Sequence, residues 1–282
     1  MPDAPNTAGG KRPALNKDTR LCISLSGRPS NIGTRFHNYL YEHLGLDFIY
    51  KAFTTTDIAA AIGGVRALGI RGCSVSMPFK QDVIALVDHV EPSARVIHSV
   101  NTIVNDDGRL TASNTDYLAV QRLIDKHGLE PTQSVLIRGS GGMASAVGAA
   151  FRDSGFHTGT VIARNTEAGR ALAERLGYDY AREVGSLAAE IIVNVTPVGM
   201  AGGPEESERA YDEATIVKAH TVFDVVAMPS ETPLITAARA AGVGVITGAE
   251  VIALQAAEQF ERYTGVRPTD DQVAEASAIS RA

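Results

Sequence analysis

Residues 71–80 read Arg-Gly-Cys-Ser-Val-Ser-Met-Pro-Phe-Lys. Ser74 and Ser76 stand two apart at the end of a β-rich run, so in a strand their hydroxyls share one face. Pro78 stops that strand, and Lys80 falls at the start of a short helix predicted from about Pro78. Two hydroxyls and an ammonium at a strand end suit a polyol, although on their own they serve equally as a cap and a surface lysine. Two more polar clusters follow, Ser99-Val100-Asn101-Thr102 and Ser113-Asn114-Thr115-Asp116. The Asn101 amide offers both a donor and an acceptor to a substrate hydroxyl. Asp116 is suited to pair with Lys80, hold its ammonium and tune its proton exchange. Three such clusters at predicted element ends shift the balance from capping toward a site.

A second constellation is Gly139-Ser140-Gly141-Gly142-Met143-Ala144. It follows an apolar run, Val135–Arg138, and precedes a helix-forming stretch. Small residues let a pyrophosphate approach the backbone, and the helix N-terminus offers free N–H groups to the anion. Glycines also make ordinary tight turns, and the strand-loop-helix-strand context is what points to a dinucleotide. The next strand ends in Ala163-Arg164-Asn165-Thr166, with no carboxylate for ribose hydroxyls before Glu167. Arg164 there suits a 2′-phosphate and hence NADP, the other role being an ordinary solvated arginine. Arg138 is a further phosphate candidate.

Short β-rich runs alternate with helical patterns almost throughout the 282 residues. Strands are predicted at 21–25, 48–53, 70–75, 135–138, 160–163, 191–195, 222–226 and 243–246. A hairpin is predicted around Asp106-Asp107-Gly108. Helices fall between, and the last is expected over Ala249–Tyr263. This alternation predicts an α/β fold with parallel sheets covered by helices in both halves, in two domains. Residues 1–19 carry Pro, Asn, Gly and charge without an apolar stretch and read as a disordered tail.

The net charge of −6 gives no case for nucleic acid or an anionic membrane surface. No run approaches the roughly 20 apolar residues of a membrane span. Cys22 and Cys73 lie in apolar runs, as buried thiols of a reducing, cytoplasmic compartment would. The seven histidines are scattered, and no metal site is indicated.

In order along residues 20–265, the chain resembles the shikimate dehydrogenase family, and closely its divergent shikimate dehydrogenase-like branch. The family's Asn-Val-Thr-x-Pro-Phe-Lys appears as Ser74-Val-Ser-Met-Pro-Phe-Lys80, its Val-Asn-Thr as Val100-Asn101-Thr102, and its Asn-Thr-Asp as Asn114-Thr115-Asp116. Its Asn-x-Thr-x-x-Gly-Met appears as Asn194–Met200 and its Gln-Ala-Ala as Gln255-Ala256-Ala257. The resemblance implies an N-terminal α/β substrate domain with a mostly parallel sheet (20–116, completed by the C-terminal helix, 249–282) and a Rossmann-like NADP-binding domain (117–248). It implies reversible, NADP(H)-dependent interconversion of shikimate and 3-dehydroshikimate, a step of aromatic amino-acid biosynthesis, with Lys80 and Asp116 as the catalytic pair. Ser30, Asn31, Ser74, Ser76, Asn101, Asp116 and Gln255 would bind substrate. Gly139, Ser140, Gly141, Gly142, Met143, Ala144, Arg164, Asn165, Thr196, Val226 and Gly248 would bind cofactor, with Gly199 and Met200 near the nicotinamide. The expected partner is shikimate or a similar ring acid, the chain acting as monomer or homodimer.

Three departures touch substrate recognition. Asn31 and Gly33 stand where the family has its Ser-x-Ser pair, with Ser30 and Thr34 as substitutes in shifted geometry. Both polar residues before the lysine are serine, and Ala227 replaces a tyrosine after Asp224-Val-Val. Weak shikimate turnover is therefore expected, or quinate or another cyclic polyol acid as the true substrate. A third alternative is a nucleotide-binding sensor or interaction protein with little turnover. Retention of Lys80 and Asp116 argues against it, since a pure binder needs no such pair.

Overall fold

The computed structural model describes residues 11–281, which form two compact units. One unit takes residues up to Thr115 together with those from Gln255 onward, and the other is Asp116–Leu254. The first unit starts with β1 (Arg20–Leu25), α1 (Ile32–His43), β2 (Phe48–Phe53), α2 (Ile58–Ala67) and β3 (Gly72–Val75). After a 3-10 turn at Asp82–Leu86 come β4 (His89–Val90), α3 (Pro92–Arg95), β5 (Thr102–Asp106) and β6 (Arg109–Ser113). The sheet order is β2-β1-β3-β5-β6-β4. β1 pairs in parallel with β2 and β3, whereas β5 runs antiparallel to β3 and β6. The β5–β6 hairpin turns at Asp107 (φ 51°) and Gly108 (φ 89°), the left-handed backbone that favours Asp-Gly there. Ile23, Val65, Cys73, Val75, Ile103 and Leu110 are buried together in its core.

The second unit opens with α4 (Thr115–Lys126), β7 (Val135–Arg138), α5 (Gly142–Asp153), β8 (Gly159–Ile162), α6 (Thr166–Leu176) and β9 (Asp179–Ala181). It continues through β10 (Ile191–Asn194), α7 (Glu213–Ile216), β11 (Thr221–Asp224), α8 (Pro233–Ala240), β12 (Gly244–Ile246) and the start of α9 (Gly248–Thr264). Its strands are all parallel, in the order β9-β8-β7-β10-β11-β12. The strand order reverses between β7 and β10, the switch point at which doubly wound sheets open a crevice at their carboxyl ends. No helix among the described residues is long and apolar enough to cross a membrane.

Several expectations need correction. The disordered tail was expected over 1–19. Residues 1–10 lie outside the described residues, but residues 11–19 are tied down. Arg12 bonds Glu42 at 3.2 Å, and Thr19 bonds Asp47 at 2.7 Å. β3 begins at Gly72 rather than residue 70, because the Ile70 N–H closes the end of α2 on the Val65 carbonyl. The helix predicted from about Pro78 is a turn, closed by Phe79 N–H on Ser76 O, and only the 3-10 segment follows. The Lys80 carbonyl is taken by Val100 N–H at 2.8 Å and so is diverted from helical bonding. A further helix, α10 (Asp270–Arg281), follows the one expected to be last. Its buried stripe of Val273, Ala276, Ser277 and Ser280 has helical spacing but too little apolar character to stand out.

α9 carries the chain from the second unit into the first, where Tyr263 lies directly on β3. A Cβ added to Gly72 would meet the Tyr263 ring at 2.3 Å, and the ring, fully buried, has nowhere to move. Gly72→Ala is therefore expected to destabilise the protein by about 1–3 kcal/mol, the usual scale of overpacking. Urea unfolding checks this, and the penalty should shrink in a Tyr263→Leu background.

Candidate active site

In the first unit, β3 and β5 are adjacent and carry the predicted polar residues to one end of the sheet. Asn101 is 1 % exposed. Its Oδ1 accepts from Thr115 N–H at 2.8 Å, from the Thr115 hydroxyl at 3.1 Å and from the Thr102 hydroxyl at 2.8 Å. Its Nδ2 is buried without any partner. A buried donor left unsatisfied costs about 1–3 kcal/mol, which a ligand oxygen placed there would recover. Val75 N–H bonds the Asn101 carbonyl, and Val100 N–H bonds the Lys80 carbonyl, both at 2.8 Å, so the two segments are laced together by backbone. Ser74 is half-buried and donates to the Gln259 Oε1 at 2.9 Å.

Other predicted substrate residues stand differently. Ser76 is exposed at the strand end, and Gln255 is half-buried on α9. Ser30 and Asn31 are exposed at the head of α1, where Asn31 makes no side-chain cap bond. The N-terminal N–H groups of α1 are thus left without a side-chain acceptor from its N-cap, an arrangement open to an anion. Asp116 is buried in the first turn of α4, immediately after Thr115. Gln259 was missed, although it lies one turn beyond Gln255 and therefore on the same helix face.

In the second unit, Gly139, Ser140, Arg164, Asn165 and Thr196 line one cavity of about 780 Å³ at the carboxyl ends of β7, β8 and β10. Gly139 has φ 133°, and a Cβ there would meet Val195 Cγ2 at 2.7 Å. Gly141 and Gly142 face open space, the room a pyrophosphate needs. Gly141 caps α5 without a side-chain bond, so the first N–H groups of that helix are presented to the opening. Met143 and buried Ala144 belong to its first turn rather than to the cavity wall. Arg164 is exposed, with Nη1 3.4 Å from Glu205 Oε1. Arg138, Arg182 and Arg209 also line the cavity, the last two unforeseen because they lie outside the strand-loop-helix unit. Asn165 caps α6 by accepting from Ala168 N–H at 3.1 Å. Together the glycine opening and the guanidinium groups fit a phosphorylated dinucleotide.

Asn194 and Asp224, at the ends of neighbouring strands, shape the adjoining loops. Asn194 Oδ1 accepts from Thr196 N–H at 3.0 Å and its hydroxyl at 2.6 Å. Its Nδ2 donates to the Val198 carbonyl at 3.2 Å and to Asp224 at 3.0 Å. Asp224 also accepts from Val226 N–H at 3.0 Å and the Thr232 hydroxyl at 2.7 Å. Gly248 closes this corner, since a Cβ there would sit 2.4 Å from the Val226 carbonyl group.

The sequence profile of the shikimate dehydrogenase substrate binding domain matches residues 31–103. A shikimate dehydrogenase-like protein of Haemophilus influenzae is 58% identical over 95% of this chain and 98% of its own length. The NADP(+) shikimate dehydrogenase of Citrifermentans bemidjiense is 36% identical, over 83% of this chain and 86% of its own. The chain belongs to the shikimate dehydrogenase family. The crystal structure of shikimate 5-dehydrogenase from Thermus thermophilus, in complex with NADP(H) and shikimate, superposes with a TM-score of 0.82 at 27% identity. It covers 93% of this chain and 99% of its own. The α/β architecture, with a substrate domain and a Rossmann-like domain, is thus that of the shikimate dehydrogenases.

Within this shikimate dehydrogenase framework the buried Asp224 makes a pH prediction. Burial pushes its carboxyl up from 3.8 to about 6, against the opposing pull of Thr232, Val226 and Asn194. The folded protein holds that proton more tightly than the unfolded chain, so this group's contribution falls as pH rises from about 4 through 6 and then levels. Over that interval wild type should lose about 3 kcal/mol relative to Asp224→Asn. Unfolding free energies of both proteins between roughly pH 4 and 7 check it.

Proposed function

We propose that this protein catalyses the reversible, NADP-dependent oxidation of shikimate to 3-dehydroshikimate. The most direct support is the buried Asn101 Nδ2, a donor awaiting a ligand oxygen, on a segment laced to the one bearing Lys80. A ring hydroxyl supplies such an oxygen. Lys80 and Asp116 act as the catalytic pair: Lys80 exchanges the proton of the hydroxyl being oxidised, and Asp116 holds its ammonium in place. NADP, when bound, supplies the hydride acceptor. Ser74, Ser76 and Gln255 complete the recognition of ring hydroxyls. The substrate carboxylate falls to Ser30, Asn31 and the N-terminus of α1, whose N-cap side chain makes no cap bond. Arg164 faces the 2′-phosphate, in exchange for its contact with Glu205. The reaction belongs in the cytoplasm, where the buried free thiols Cys22 and Cys73 stay reduced.

The replacement of the family's serine pair by Asn31 and Gly33 favours a second reading, in which quinate or a related cyclic polyol acid turns over faster than shikimate. NADPH formation with each acid at high enzyme concentration distinguishes the two, and failure with both overturns both. Lys80→Ala is expected to lower kcat by about 10²–10⁴-fold; equal rates would remove Lys80 from the chemistry. Arg164→Ala is expected to raise KM for NADP about tenfold while leaving KM for NAD unchanged, as steady-state kinetics with each cofactor will show.

A further inference from the structure

We infer that Gln259 is a positioning residue, which relays hydrogen-bond direction through Thr102 so that Asn101 meets the substrate as a donor only. This rests on the function proposed above and assigns it a residue outside the motifs of the sequence.

The relay follows from groups whose polarity is fixed. Gln259 is 5 % exposed on α9. Its Nε2 lies 3.3 Å from the Asn101 main-chain carbonyl, which can only accept, so the NH₂ side of the amide faces that way. The same Nε2 donates to Thr102 Oγ1 at 3.0 Å. Oε1 is thereby turned to Ser74, whose hydroxyl must donate to it. Thr102, accepting a hydrogen bond from Gln259, turns its own hydroxyl hydrogen to Asn101 Oδ1, 2.8 Å away. Thr115 supplies that oxygen with two more donors, one of them a backbone N–H that cannot be reversed. Every acceptor position of the Asn101 side chain is therefore used from behind. What remains is the buried, unpartnered Nδ2. Such a site takes a hydroxyl lone pair or a carbonyl oxygen and disfavours a ligand that can only donate.

Gln259 also has a specific reason to be there. Ser74 and Thr102 stand opposite each other on β3 and β5, and the Gln259 amide arrives from α9 to bridge their hydroxyls.

The titratable groups that touch Gln259 and Ser74 are His37 of α1, Tyr50 of β2 and Tyr263 of α9, and buried Asp116 follows Thr115 at the other end of the network. Burial holds His37 down at about 3 and pushes the two tyrosines upward. Neither His37 nor either tyrosine changes charge between about pH 5.5 and 8.5, so a difference in pH profile between Gln259→Glu and wild type in that range belongs to the new side chain.

The test uses Gln259→Leu and Gln259→Glu with the ring acid that wild type oxidises. Gln259→Leu should raise the KM for that acid about three- to tenfold, as for one lost neutral hydrogen bond. Its kcat and its KM for NADP should stay within about twofold of wild type, because the contact is made alike in ground and transition states. Gln259→Glu should be equally impaired at high pH, where the carboxylate cannot donate to Thr102. It should recover toward wild type as the pH falls and the acid gains a proton. A Gln259→Leu enzyme with unchanged KM, a parallel rise in KM for NADP, or a Gln259→Glu profile matching wild type in shape would each overturn the assignment. Should wild type oxidise neither acid, the proposed function falls, yet the relay is still decided by the Asn101 side-chain amide signals in ¹⁵N NMR. A shift in those signals in Gln259→Leu supports it, and unchanged signals sink it.

Discussion

Much of the first unit depends on one close approach, the ring of Tyr263 on the bare backbone of Gly72. It sets the register between α9 and β3. One helical turn back from Tyr263, about 6 Å, is Gln259. Two strand residues on from Gly72, about 6.6 Å, is Ser74. The steps match, and the two side chains meet at 2.9 Å. The Arg71 guanidinium fastens the end of the helix by donating to the Tyr263 carbonyl at 2.9 Å. An aromatic packing contact thus decides where the polar side chains of α9 fall along the strand.

Both units use a buried asparagine as a clamp, and the two differ in whether the amide protons are used. Asn194 takes the N–H and hydroxyl of Thr196 on its oxygen and gives its amide protons to Val198 and Asp224, so it is closed. Asn101 takes the N–H and hydroxyl of Thr115 in the same manner, but its amide protons go nowhere. The glycines divide similarly. Gly139 is required by its backbone angle and by Val195, whereas Gly141 and Gly142 look onto open space. In each pair one member holds the fold and the other leaves room.

Much of this was legible in the sequence, because the strand-helix alternation and the polar residues at strand ends are local signals. The parallel sheet of the second unit and the glycine loop come straight from such patterns. What escaped was either short or non-local. β4, β9, α3 and α7 are two to four residues long, too few to show a period. α10 is stabilised by packing small residues against α1, which its composition does not advertise. Residues 11–19 read as disordered because their anchors, Glu42 and Asp47, lie far along the chain. Arg182 and Arg209 reach the cavity only through the return of distant loops. Gln259 was within reach, since its spacing from Gln255 is one turn, but nothing in its neighbours signals that Ser74 waits opposite.

The interruption of the first unit by the second has a consequence for how the chain is made. Its sheet is finished once Ser113 leaves the ribosome, but the helix that covers it contains Phe260 and Tyr263. Ribosomes add about 5–20 residues per second, so the interval is on the order of ten seconds. During it, the face on which His37 stacks against Tyr50 at 4.4 Å lacks Phe260 and Tyr263. The second unit is one continuous stretch, Asp116–Leu254, and can close first, before synthesis ends. The half-made protein is then a finished nucleotide fold preceded by a sticky, incomplete one. Premature termination between residues 254 and 263 would leave it in that state, with its aromatic surface available to chaperones, proteases or another unfinished chain.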